Sequence, residues 1–109
     1  MATAYKTLGQ QNPAATTLTT LYTVPALTST IVSSIVVANQ AATAGTYRIS
    51  IAVAGAADAT KQYLAYDVSL PGNTTDTLTL GITLATTDVI KVYASSANFS
   101  FNAFGSELS

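Results

Sequence analysis

Apolar and polar residues alternate with a period of two along most of this chain. From Thr46 to Ala54, Tyr47, Ile49, Ile51 and Val53 fall on one side, and Thr46, Arg48, Ser50 and Ala52 on the other. From Lys61 to Leu70, Leu64, Tyr66, Val68 and Leu70 alternate with Tyr63, Ala65, Asp67 and Ser69. From Asp76 to Leu84 the apolar set is Leu78, Leu80, Ile82 and Leu84; from Asp88 to Ser95 it is Ile90, Val92 and Ala94, opposite Val89, Lys91 and Tyr93. From Asn98 to Phe104, Phe99 and Phe101 oppose Ser100 and Asn102. Such alternation sends one set of side chains to a core and the other to solvent, as in half-buried strands. No segment shows a helical period.

Turn residues punctuate these runs. Pro71-Gly72-Asn73 is the strongest signal, because Pro presets φ for one turn position and Gly tolerates positive φ at the next. Asn39 to Gly45, Gly55 to Thr60, Thr86-Thr87-Asp88 and Ser95-Ser96 are the others. Two earlier strands complete the set: Thr17 to Val24, with Leu18, Tyr22 and Val24 on one face, and Ser29 to Asn39. The latter has apolar residues on both faces, Ile31, Ile35 and Val37 toward a core and Val32, Val36 and Ala38 opposite them. A strand apolar on both faces is either covered on both sides or offers one face to a partner. Strands spaced by roughly 8 to 14 residues predict an all-β fold, an antiparallel β-sandwich of jelly-roll type with about seven or eight strands. Residues 17–109 read as one sandwich domain, and residues 1–16 as an N-terminal arm or short edge strand near Tyr5 to Gly9.

Composition then narrows the function. Only 8% of the 109 residues are charged, against about 25% in a typical soluble domain. A surface with so few charges repels its own copies weakly and predicts self-association. The net charge of −1 leaves no electrostatic footprint for nucleic acid or anionic lipid. The run from Thr30 to Ala38 falls far short of the roughly 20 apolar residues that a membrane span needs, so no membrane partner is expected. The N-terminus resembles neither a secretory signal nor a transit peptide.

Candidate chemistry is sparse. There is no histidine and no cysteine, which removes the commonest general base, the commonest metal ligand and thiolate chemistry. Ser33-Ser34 has no base to activate it. Asp58, Asp67, Asp76, Asp88 and Glu107 are dispersed without metal-ligand spacing, and no phosphate-binding glycine loop occurs. The chain is expected to be non-enzymatic and to hold no cofactor. Tyr63 and Tyr93, on the polar sides of their strands, are candidates for a subunit contact or for stacking on a sugar.

Four stretches carry a resemblance to a known family: LYTVPA at 21–26, IVSSIVVAN at 31–39, KQYLAYDVSLPGNTTDTLTLGITLATTDVIKVYASS at 61–96 and FSFNAFGSE at 99–107. In these the chain resembles small virion structural proteins of tailed bacteriophages, especially phages of marine bacteria and cyanobacteria. It departs from them in the short turn Pro25-Ala26-Leu27-Thr28. The resemblance implies a β-sandwich that decorates or cements the capsid, with many copies per particle. The expected partners are further copies of itself, as a homo-oligomer and in the first instance a trimer, together with the major capsid protein or another virion protein. Tail, neck or fibre attachment is the alternative position in the virion. A glycan-binding adhesion module is the alternative class. The residues expected at a subunit or capsid interface are Val32, Val36, Tyr63 and Tyr93.

Overall fold

A computed structural model describes residues 2–109; Met1, part of the expected N-terminal arm, lies outside them. Nine strands follow in order: β1 (Thr3–Gln11), β2 (Thr19–Thr23), β3 (Ser29–Asn39), β4 (Gly45–Ala52), β5 (Tyr63–Leu70), β6 (Thr74–Leu78), β7 (Ile82–Leu84), β8 (Val89–Ala94) and β9 (Phe99–Leu108). Two 3₁₀ turns, Val53–Gly55 and Thr60–Gln62, lie between β4 and β5. The strands make two antiparallel sheets that pack as a sandwich. One is ordered β1-β9-β3-β6, with β7 continuing the β6 edge along β3; the other is ordered β2-β8-β4-β5.

The core lies between the sheets and follows the period-2 pattern closely in β8 and β9. Ile90, Val92, Ala94, Phe99, Phe101 and Ala103 are fully buried. Tyr47 stands among them, with its ring 6.4 Å from Phe99 and 6.2 Å from Phe101. Its hydroxyl, at the edge of the core, donates to Asp76 Oδ2 at 3.0 Å. Burial and that carboxylate push the Tyr47 phenol up to about 12.

Elsewhere the alternation slips, at bulges in β3 and β5 and at the ends of two other strands. In β3 the partners run Val32↔Gly105 and then Ser34↔Phe104, so Ser33 is extra. Before it, Thr30 and Val32 face the core; after it, Ile35, Val37 and Asn39 do. Val32 is therefore a core residue and not an interface residue, while Ile31, expected inside, is 55% exposed. An extra residue reverses the facing of everything beyond it, because the side-chain period is two.

The same device corrects β5. Tyr47 pairs with Val68 and Ile49 with Ala65, so β5 carries an extra residue there. Asp67 sits at the bulge with φ +50°. Leu64 and Tyr66, expected in the core, are exposed. The strand expected over Asp76 to Leu84 is broken into β6 and β7 at Gly81, whose φ is +62°, and Leu80 points out to solvent. Val53 leaves β4 for a 3₁₀ turn and is exposed.

Of the N-terminal segment, Thr3–Gln11 forms an edge strand. β1 pairs with β9 along its length. Beyond β1, Asn12 Nδ2 donates to the carbonyls of Ala97 and Phe99, and Thr16 N donates to Ala94 O at 2.8 Å. These bonds tie residues 12–16 to the β8–β9 connection.

Candidate interaction surfaces

The two sheets present very different outer faces. On the β1-β9-β3-β6 sheet the register fixes which side chains point away from the core. β9 contributes Ser100, Asn102, Phe104 and Ser106. β3 contributes Ile31, Ser34, Val36 and Ala38 beside them. β1 adds Tyr5, Thr7 and Gln10, and the opposite edge adds Thr75, Thr77 and Thr83. None of these residues is charged. Tyr5 is 85% exposed, and with Ile31, Ser33 and Phe104 it lines an open depression of about 360 Å³, whose rim includes Lys6, held there in its ion pair with Glu107.

The charges on these strands lie on the other side. Glu107 Oε1 meets Lys6 Nζ at 3.0 Å, and Glu107 Oε2 accepts from the Tyr22 hydroxyl at 2.5 Å. That hydroxyl also lies 2.8 Å from Thr30 Oγ1. Hydrogen bonds from Tyr22 and Lys6 hold the Glu107 carboxyl below its ordinary range. Burial, and then Glu107, push the Tyr22 phenol up to about 12. Asp76 likewise turns inward, to Tyr47. Alternation thus removes Lys6, Asp76 and Glu107 from the outer face and leaves hydroxyls, amides and apolar groups there.

The outer face of the β2-β8-β4-β5 sheet is built around Arg48. Its guanidinium lies 4.1 Å from the centre of the Tyr66 ring and 4.3 Å from that of Tyr93. It also grips Asp67 with two bonds, Nε–Oδ1 at 2.7 Å and Nη2–Oδ2 at 3.2 Å. Those bonds hold the Asp67 carboxyl below its ordinary range. Tyr63 packs edge-on against Tyr66 at 5.0 Å, and its hydroxyl donates to Asp58 Oδ2 at 3.1 Å. Tyr63 and Tyr93 therefore do lie on one outer face, both half-buried. Arg48 already occupies a face of Tyr66 and of Tyr93, and the ion pair is self-contained. At the end of this sheet the segment 53–62 folds back over the β4–β8 end, held by Gln62, whose Nε2 donates to Ala57 O at 2.8 Å.

The four expected interface residues are thus not brought together. Val36 belongs to the uncharged face, Tyr63 and Tyr93 to the Arg48 face, and Val32 to the core. Sequence reasoning missed Tyr5, Ile31 and Phe104 as surface groups. The Ser33-Ser34 pair is explained by the bulge, where the Ser33 hydroxyl donates to Phe104 O at 3.0 Å. Asp88 accepts from the backbone N–H of Ala54 and of Ala85, each at 2.9 Å, and so pins two turns together. Among the described residues no three acidic side chains gather where they could hold a metal ion, and no helix is long and apolar enough to cross a membrane.

No known family, curated protein or solved structure matches this chain.

Proposed function

We propose that this chain is a non-enzymatic virion structural protein of a tailed bacteriophage, a decoration or cement protein that self-associates and braces the capsid shell from outside. The observation that carries this reading is the uncharged outer face of the β1-β9-β3-β6 sheet. A whole sheet face of hydroxyl, amide and apolar groups, with Tyr5 and Ile31 exposed, is a poor surface for a solitary chain and a good one for packing. Burying it strips no unpaired charge of water, which is costly wherever it occurs.

Three further points support the reading. Six of the eight steps along the chain cross between the sheets, so that β1, β9, β3 and β6/β7 stand opposite β2, β8, β4 and β5. We read that interleaved order as jelly-roll wiring, an architecture used by many capsid and lectin domains. The functional side is then mechanical: the sandwich is cross-tied at one end by Lys6, Glu107, Tyr22 and Thr30, which join β1, β9, β2 and the start of β3. The resemblance of residues 21–26, 31–39, 61–96 and 99–107 to phage virion proteins points to the same class.

The test is localisation. Purified virions probed with gold-labelled antibody should carry the label over the head, and empty expanded heads should take up the recombinant chain at a fixed copy number. Label on the tail or neck would move the protein within the particle. Virions that lack the chain would refute the reading altogether.

A further inference from the structure

We propose that the outer face of the β1-β9-β3-β6 sheet packs against the same face of a second copy of this chain, making a two-fold, sheet-on-sheet dimer. This rests on reading the chain as an assembly subunit and names the surface and the partner. It replaces the three-fold order expected from the family resemblance, because a face that meets itself closes as a dimer.

The face is complementary to itself for a chemical reason. In a two-fold contact each group near the axis meets its own kind. A lysine there would meet a lysine, and an aspartate an aspartate. Ser, Thr, Asn and Gln each carry both a donor and an acceptor, so rows such as Gln10, Asn102 and Thr77 can bond to their own copies. Tyr5, Ile31, Phe104 and Val36 supply the apolar contact between those rows. Among the described residues, the outward side chains of this face carry no charge, and its nearest cation, Lys6 at the rim of the depression, is paired with Glu107, so the face suits its own image.

Area permits it. Four strand positions about 4.8 Å apart, crossed by β9 with its ten residues at about 3.4 Å each, give roughly 650 Å² per copy. The roughly 1,300 Å² total lies within the range of specific dimers.

Edge-to-edge pairing is the competing way to join two copies, and this fold obstructs it at every edge. β1 is bulged between Thr7 and Gly9, β2 between Thr20 and Tyr22, and β5 at two places. The β6/β7 edge is broken at Gly81. Bulged and broken edges are how sheets avoid adding strands. The face remains.

The full chain is tested by sedimentation equilibrium across roughly 1 to 100 μM. The expected species has twice the 11.2 kDa chain mass. Its dissociation constant should be unchanged between about 0.05 and 1 M NaCl, because no charge pair holds it. Ile31→Lys puts a charge from each copy into the contact and should weaken the dimer roughly 100-fold or more, as should Val36→Lys. Ile31→Asp should do the same alone, and mixing it with Ile31→Lys should restore a dimer of the two. Tyr66→Lys, on the other sheet, should leave dimerisation intact, and circular dichroism confirms that each variant keeps its strands. A wild-type monomer throughout, a three-fold assembly, or a dimer that resists Ile31→Lys and Val36→Lys would overturn the proposal. Capsid uptake separates the two readings: a monomer that still coats heads refutes this dimer alone, and a dimer absent from virions refutes the virion role alone.

Discussion

Asn39 offers the most direct check of how the sandwich is fastened. It ends β3, it is 1% exposed, and its side chain is fully used. Nδ2 donates to Thr43 O at 3.0 Å and to Leu70 O at 3.1 Å, and Oδ1 accepts from Ala41 N at 3.0 Å. One side chain thereby joins the β3–β4 turn to the end of β5. Asn39→Ala would leave an N–H and carbonyl groups without partners in a closed site. Each lost bond costs about 1 kcal/mol net, and a stranded buried group about 1–3 kcal/mol. With partial relaxation the loss should be about 3 kcal/mol, a large part of the roughly 5–15 kcal/mol that holds such a domain together. Urea unfolding followed by circular dichroism measures it, and the midpoint of thermal unfolding should fall by roughly 12–24 °C.

Asn39→Asp makes the test sharper. The aspartate keeps the acceptor for Ala41 but sets a second oxygen against the carbonyls of Thr43 and Leu70. Burial among carbonyls raises its carboxyl above the unfolded value of about 3.9. The folded state then binds the proton more tightly than the unfolded state, so stability falls as pH rises above about 4. Asn39→Asp should approach wild type only in acid, whereas the Asn39→Ala deficit should hardly vary with pH. A loss below about 1 kcal/mol for Asn39→Ala, or a pH-independent Asn39→Asp, would refute this account of the site.

Val32→Lys should prevent folding, since a lone buried charge costs several kcal/mol, while Val36→Lys should retain the strand spectrum; equal behaviour would mean the Ser33 bulge is misplaced. The depressed Glu107 carboxyl contributes stability that is present above its unfolded pKa and lost as pH falls through the folded value, so Glu107→Gln should flatten the acid limb of a stability–pH curve measured with urea. Tyr22 and Tyr47 titrate near 12 in the fold against 10.0 as free phenols. Their contribution is present below the unfolded value and lost as pH rises through the folded one, so absorbance at the phenolate band should show Tyr22 and Tyr47 among the late-ionising tyrosines, beside Tyr63, which burial and Asp58 also raise, and Tyr22→Phe and Tyr47→Phe should each remove one.

The sequence by itself determined the strands, their number to within one or two, and the all-β sandwich. It did so because a half-buried strand must alternate, and Ile90, Val92, Ala94, Phe99 and Phe101 do so without interruption. It also determined that the surface would be poor in charge. Only the tertiary structure decided which face each run turns to solvent beyond a bulge. A bulge is a property of the pairing between two strands: Ser33 is extra only because Val32 meets Gly105 and Ser34 meets Phe104. Nothing local marks Ser33, and Asp67 with its positive φ looks like an ordinary polar position. One unseen residue moved Val32 into the core and Ile31 onto the surface, and one more put Leu64 and Tyr66 outside. The charge-free face was likewise unreadable along the chain, because it is assembled from β1, β9, β3, β6 and β7, and Lys6, Asp76 and Glu107 leave it only once register sends them to the inner side.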